Sequence, residues 1–336
     1  MNLAAKTLLV ADIGGTNARF ALAAARDGGL TVGPVASVRT AAWPGIEEAL
    51  AAFLEAEGRP PLAAAAICAA GPVEGEGASA RIHLTNCPWE VSAAAIARAA
   101  GVARPRLMND FAALALAVPC LAADEVGRIG DEGVSVPAAP VVVVGAGTGL
   151  GVAALLFDGG RAHVVAGEGG HVDLAPKGAR EMAVLSHLQA QFGHVSAERV
   201  LSGPGLATLR AALVAIDGAR PEPLTPEEIA IRAYGAAQDG KCPLSQEAVA
   251  LFCGWLGAVA GDVALTLGAR GGVYIAGGIV PGWVAAMPGL FDEKRFRARF
   301  EAKGRLETWM KKIPSFVVTR PDAALLGLAR AATDML

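Results

Sequence analysis

The chain opens on an apolar run, Leu8 to Ala11, which breaks at Gly14-Gly15-Thr16-Asn17 and resumes from Ala18 to Ala23. Two short apolar runs split by a glycine-rich turn predict a β-hairpin. A third strand is expected from Val32 to Val38. Ile46, Leu50, Phe53 and Leu54 then recur at helical spacing, which predicts an amphipathic helix over Gly45 to Glu57. Ala63 to Ala70 reads as a strand ended by Gly71-Pro72, and Ser92 as the cap of an alanine-rich helix that stops at Gly101. Arg106 to Met108 leads into Asn109-Asp110, and Phe111 to Ala117 reads as helix.

The opening pattern then returns. Val141 to Val144 is a strand of valines, followed by a glycine-rich turn, Gly145 to Gly151, and a further apolar strand, Val152 to Phe157. Strand, glycine turn, strand thus occurs near the start of each half, a sign of an internal repeat. Helices dominate the rest of the second half. Glu181 to Phe192 places Met182, Leu185 and Leu188 on one face, and Thr225-Pro226-Glu227-Glu228 is a capping box with proline at the first helical position. A long apolar helix is expected near 246–268, with Ser245 as its cap. Gly272 to Ile279 reads as a strand ending in a glycine pair, and Asp322 to Leu336 as a closing helix. Strands and helices mixed in this way indicate an α/β protein.

The long helix raises the question of a membrane. Ala248 to Leu267 has the length to span a bilayer, but Asp262 interrupts it and neither flank carries a Lys/Arg cluster. A buried core helix is the expectation, and no membrane partner. Composition adds further limits. A chain of 336 residues suits two domains, and 53% hydrophobic with 18% charged residues suits a folded protein. A net charge of -3 without a basic run gives no footprint for nucleic acid. Five scattered cysteines with no Cys-x-x-Cys pair read as reduced thiols, and no signal peptide is apparent, so a cytoplasmic location is expected.

Candidate chemistry begins with three glycine turns after strands, Asp12-Ile13-Gly14-Gly15-Thr16, Gly145-Ala146-Gly147-Thr148-Gly149 and Ala276-Gly277-Gly278. Glycine lets backbone N–H groups approach an anion closely. No Gly-Lys-Ser/Thr follows any of them, and a dinucleotide fingerprint from Gly145 would need glycine where Leu150 stands. Neither a P-loop nor a Rossmann site is supported. Two hairpin turns acting together can instead hold a triphosphate, with Thr16 and Thr148 adding hydroxyl donors and Asp12 holding magnesium through water. Polar residues inside apolar stretches come next. Asp110 in Leu107-Met108-Asn109-Asp110-Phe111 reads either as the cap of the following helix or as a carboxylate facing a substrate hydroxyl. Glu168 and His171 in Gly-Glu-Gly-Gly-His read either as a hydrogen-bonded pair or as converging on one small polar ligand. Glu198, two residues after Ser196, reads by itself as a first-turn helix carboxylate.

These residues, in this order, resemble the bacterial glucokinases, of the sugar kinase branch of the actin-like ATPase superfamily. The resemblance runs from Val10 to the C-terminal helix. It includes Asp-Ile-Gly-Gly-Thr-Asn-Ala-Arg at 12–19, Ala-Ala-Gly-Pro-Val at 69–73, Leu-Thr-Asn at 84–86 with Trp89, and Asn-Asp-Phe at 109–111. It continues with Gly-Ala-Gly-Thr-Gly-Leu-Gly at 145–151, Gly-Glu-Gly-Gly-His-Val-Asp at 167–173, Glu-Arg-Val-Leu-Ser-Gly-Pro-Gly at 198–205 and Tyr-Ile-Ala-Gly-Gly-Ile-Val-Pro at 274–281.

The resemblance implies a two-lobed α/β actin-like ATPase (ribonuclease H-like) fold with a cleft between a small domain, 1–118 plus about 320–336, and a large one, 119–319. It implies transfer of the γ-phosphate of ATP to the 6-hydroxyl of glucose, the first step of glycolysis, with Mg2+. Ala11, Asp12, Ile13, Gly14, Gly15 and Thr16 would form the ATP-phosphate loop, Gly147, Thr148 and Gly149 its partner, and Gly277 and Gly278 the adenosine end. Asp110 would be the general base, and Asn109, Asp110, Glu168, His171 and Glu198 the hydroxyl-binding set. ROK sugar kinases and repressors share the Glu-Gly-Gly-His pattern but usually follow it with a cysteine-rich zinc site. Residues 172–241 contain no cysteine, so no structural zinc is expected. The expected partners are glucose and ATP, with a homodimer left open. The alternatives are a kinase for another hexose or a non-catalytic sugar sensor.

Overall fold

The computed structural model describes residues 6–26, 29–84, 87–235 and 242–336, which fall into two units. The first comprises residues 1–122 and 320–336. Its sheet is built from β1 (Lys6–Ile13), β2 (Asn17–Arg26), β3 (Gly29–Val32) and β4 (Ala36–Arg39), then, after α1 (Ile46–Ala56), β5 (Ala64–Ala69). A two-stranded ribbon, β6 (Arg81–His83) and β7 (Glu90–Ser92), precedes α2 (Ala93–Ala100), β8 (Arg106–Asn109) and α3 (Asp110–Ala117). Strand order is β3-β2-β1-β5-β8, with β4 also on β2. β1 runs antiparallel to β2 and parallel to β5, which is parallel to β8.

The sheet's alternation accounts for its core. Leu9, Ala11 and Ile13 pack with Phe20, Leu50, Phe53 and Ile67 on one side, where Phe20 and Phe53 stack at 5.5 Å. Every residue of β5 is buried, as a strand covered on both faces requires. The expected third strand is two strands. Gly33-Pro34-Val35 interrupts it, because Pro34 has no N–H to give the ladder, and Gly33 instead donates to Leu22 O at 2.9 Å. The cap of α2 is as expected, with Ser92 Oγ accepting from Ala95 N.

The second unit, residues 123–319, begins with β9 (Val126–Ile129), β10 (Val141–Ala146), β11 (Leu150–Asp158) and β12 (Arg161–Gly167). Then come α4 (Gly178–Phe192), α5 (Gly203–Ile216), α6 (Pro226–Tyr234), α7 (Pro243–Leu267), β13 (Gly272–Ala276), α8 (Ile279–Ala286), α9 (Glu293–Glu301), α10 (Glu307–Lys311) and β14 (Ser315–Val318). The last helix, α11 (Ala323–Thr333), belongs to the first unit. Strand order here is β12-β11-β10-β13-β14-β9. The repeat seen in sequence is therefore a repeat of topology. In each unit an antiparallel hairpin carries a third antiparallel strand on one side and two parallel strands on the other.

α7 is the core helix of its unit. Phe252, Cys253, Trp255 and Leu256 are fully buried, and Trp255 Nε1 donates to Ala175 O. Each large apolar side chain buried in this way contributes about 1.5–3 kcal/mol. Of its two charges, Glu247 near the start pairs with Arg180, and Asp262 lies on the exposed side and pairs with Lys303 at 2.6 Å. Two expected boundaries and one expected helix face shift. The helix starts at Pro243 after Cys242, so Ser245 does not cap it but is buried and accepts from Arg210 Nε. On α4 the buried pair is Val184 and Leu188, one turn apart, while Met182 is 56% exposed. Ile279 begins α8 rather than ending a strand, because Gly277-Gly278 turns the chain. The capping box at Thr225 and Glu228 is present with both bonds.

Candidate active site

In the first unit the candidate residues collect at the C-terminal ends of β1, β5 and β8. Strand register sets Asp12 beside Cys68, Cys68 beside Met108, and Ala69 beside Asn109. Beyond Ile13 the turn closes with Gly14 N donating to Asn17 O at 2.9 Å. Thr40, almost fully buried, braces it from outside. Its Oγ1 donates to Gly15 O at 2.9 Å and its N–H to Thr16 O at 3.0 Å. Nothing in the sequence pattern marked Thr40, because its partner lies 25 residues away.

Asp12 has a side chain 26% exposed, with Arg19 4.0 Å from Oδ2 and Cys68 Sγ 3.5 Å from Oδ1. Burial pushes the Asp12 carboxyl above its ordinary value, and Arg19 and the Cys68 hydrogen bond offset this only in part. Cys68 is fully buried. Desolvation, then Asp12, then Asp110 push its thiol well up, so it stays protonated and serves as a donor.

The geometry shows which of Asn109 and Asp110 caps the following helix. Asn109 caps α3, with Oδ1 accepting from Phe111 N at 2.8 Å and Ala112 N at 3.3 Å, while Nδ2 donates to Gly71 O at 3.3 Å. The cap is therefore Asn109, not Asp110. Asp110 is the first helical residue, with Oδ1 accepting from Phe111 N at 2.9 Å, at the end of the helix that favours negative charge.

In the second unit the glycine turn is shorter than expected. β10 runs to Ala146 and β11 starts at Leu150, leaving Gly147-Thr148-Gly149 between them, closed by Gly147 N to Gly149 O at 2.8 Å. Gly277-Gly278 follows β13, the parallel neighbour of β10, and so lies at the same end of the sheet. That end of parallel strands is where α/β sheets bind ligands.

Glu168 and His171 are exposed and bracket a single turn of 3-10 helix in which His171 N donates to Glu168 O. Glu198 lies in another such turn. Two backbone bonds, Ala197 N to Val172 O and Leu174 N to Val195 O, join the segments that carry them. Glu198 reaches the glycine turn itself, with Oε2 accepting from Leu150 N at 2.9 Å. The structure thus brings Glu168, His171 and Glu198 together near Gly147-Thr148-Gly149, and Asn109 and Asp110 together near Asp12–Thr16. Ser202 was missed as a participant. Its hydroxyl donates to Glu198 O and accepts from Gly205 N, capping α5. Thr85 and Asn86 of the Leu-Thr-Asn motif lie outside the described residues.

Comparison with known proteins extends this picture. The sequence profile of the family described as Glucokinase matches residues 9–335. The chain is 43% identical to a glucokinase of Chromobacterium violaceum over 98% of its own length and 90% of that protein's. It is 44% identical to a glucokinase of Aromatoleum aromaticum, covering 98% and 95%. A crystal structure of glucokinase from an Antarctic psychrotroph superposes with a TM-score of 0.85 at 32% identity, covering 98% of this chain and 99% of that one.

Proposed function

The chain belongs to the glucokinase family, and from that premise we infer that it is an ATP-dependent hexose kinase that transfers the γ-phosphate of ATP to the 6-hydroxyl of glucose. Its α/β architecture is the actin-like ATPase fold of the sugar kinases. The reading takes 1–118 with about 320–336 as the small domain and 119–319 as the large one.

The observation that carries the residue assignments is the division of labour at Asn109 and Asp110. Asn109 holds the helix end, and Asp110 stands one residue on, on the same strand ends as the Asp12–Thr16 turn. In this reading Asp110 accepts the proton of the 6-hydroxyl as that oxygen attacks the γ-phosphorus. The transition state of phosphoryl transfer is loose, so alignment and charge stabilisation supply most of the acceleration. Backbone N–H groups of Gly15 and Gly149, at the tips of the two turns, meet the phosphate oxygens. Thr16 and Thr148 add hydroxyl donors. Asn109, Glu168, His171 and Glu198 pair with the sugar hydroxyls, and an epimer with one hydroxyl misplaced leaves a polar group unpaired.

Asp12 suits magnesium held through water. It is a part-exposed carboxylate with its nearest cation 4.0 Å away, and magnesium takes one or two carboxylates together with substrate phosphates rather than a protein cage. When bound there, the ion neutralises phosphate charge. Phosphorus NMR of a mixture of protein, Mg-ATP and glucose tests the reading, with glucose 6-phosphate and ADP as the expected products. Glucose binding without any phosphorylated sugar would replace the kinase with a non-catalytic sugar binder.

A further inference from the structure

The geometry points to Glu198 as a positioning residue for the phosphate turn as well as a partner for the sugar, with one carboxylate oxygen committed to each. This rests on the reading of Glu198 as a hydroxyl partner and extends it to nucleotide binding.

The grip on the turn is double. On its far side, Glu198 Oε2 accepts from the N–H of Leu150, the first residue of β11. On its near side, Gly203 N donates to Gly147 O at 2.8 Å. Both contacts come from one short segment, Glu198 to Gly203, stiffened by Ser202 Oγ donating to Glu198 O at 3.0 Å. Gly149 leaves the room that Glu198 needs, since a Cβ there would stand 2.5 Å from Glu198 Oε2. The turn assigned to phosphate is thus held in shape by a residue assigned to sugar. Whatever moves the Glu198 carboxylate moves the turn, so sugar and nucleotide affinities are linked through this side chain, and reciprocally.

A merely electrostatic role gives the opposite sign. A carboxylate beside a phosphate turn repels the anion, so removing it should tighten nucleotide binding. If the carboxylate instead holds the turn, removing it weakens binding despite the lost repulsion. The conservative variant separates the two roles. Glu198→Gln keeps an oxygen that can accept from Leu150 N but replaces the other with an NH2 group, which cannot accept from a sugar hydroxyl.

The experiment is calorimetric titration of the full chain with Mg-ADP in the absence of sugar, and separately with glucose, for wild type, Glu198→Gln, Glu198→Ala and Glu198→Asp. The expected result is Mg-ADP affinity weakened about tenfold or more in the alanine and aspartate variants, the scale of a lost charge-assisted hydrogen bond. The glutamine variant should hold Mg-ADP within about twofold while losing glucose affinity. Should the alanine variant fail to fold, the aspartate variant carries the test, as it keeps the charge and shortens only the reach. Wild-type or tighter Mg-ADP binding in these variants, with glucose affinity lost, would overturn the positioning role and leave the kinase reading intact. Unchanged glucose affinity in the glutamine variant would remove Glu198 from the sugar set, and with it the proposed link.

Discussion

Cys68 Sγ lies 3.5 Å from Asp12 Oδ1, on the strand next to β1 and in register with it. A fully buried thiol is thus the hydrogen-bond donor beneath a carboxylate whose own proton affinity is raised by burial.

That arrangement has a cost in stability with a definite sign. The folded-state value of Asp12 lies above its ordinary value of 3.8, so the unfolded chain ionises first as pH rises. Stability attributable to this group therefore falls as pH climbs from 3.8 through the folded value and stays lower above it. Asp12→Asn removes this partly desolvated charge. Its melting temperature at neutral pH should exceed that of wild type, with the difference narrowing as pH is lowered, while its phosphoryl transfer falls. Calorimetric melts across pH check the first part, and equal melting temperatures at neutral pH would show that the partial desolvation of Asp12 costs nothing.

Asn109 and Asp110 should separate cleanly. Asp110→Asn keeps shape and the bond from Phe111 N but cannot take the proton, so turnover should drop about 10²–10⁴-fold with glucose affinity and melting temperature nearly unchanged. Asn109→Ala removes a helix cap and the bond to Gly71 O, and should cost about 1–2 kcal/mol of stability. Steady-state kinetics paired with denaturant unfolding distinguish the two.

The C-terminal helix should prove integral to the first unit. A Cβ on Gly327 of α11 would overlap the carbonyl of Ala113 on α3, so the two backbones meet where no side chain fits. Gly327→Ala should destabilise that unit by about 1–3 kcal/mol through overpacking, read as a lowered unfolding midpoint with urea. An unchanged midpoint would mean that α11 can shift without loss.

Much of the fold was legible because its signals are local. The hairpins around Gly14-Gly15 and Gly147–Gly149, the Ser92 cap and the Thr225 capping box are set by residues within a few positions of one another. Errors arose where a long-range or backbone effect decided. Pro34 split a strand that hydropathy ran straight through, and Pro243 rather than Ser245 set the start of α7. Met182 and Val184 both suit a helix, and only the neighbours in the folded unit decide which is covered. At the candidate site, motifs singled out Asp110, Glu168, His171 and Glu198 as candidates, but not what holds them. Thr40, Cys68, Leu150 and Ser202 act through partners reached only by folding, and nothing in their sequence surroundings sets them apart.

The most direct test of the central claim is a coupled ADP-release assay with Mg-ATP across a panel of hexoses. The account predicts rapid release with glucose, slower release with its epimers, and very little without sugar. Release that does not depend on sugar, or none with glucose bound, would contradict it.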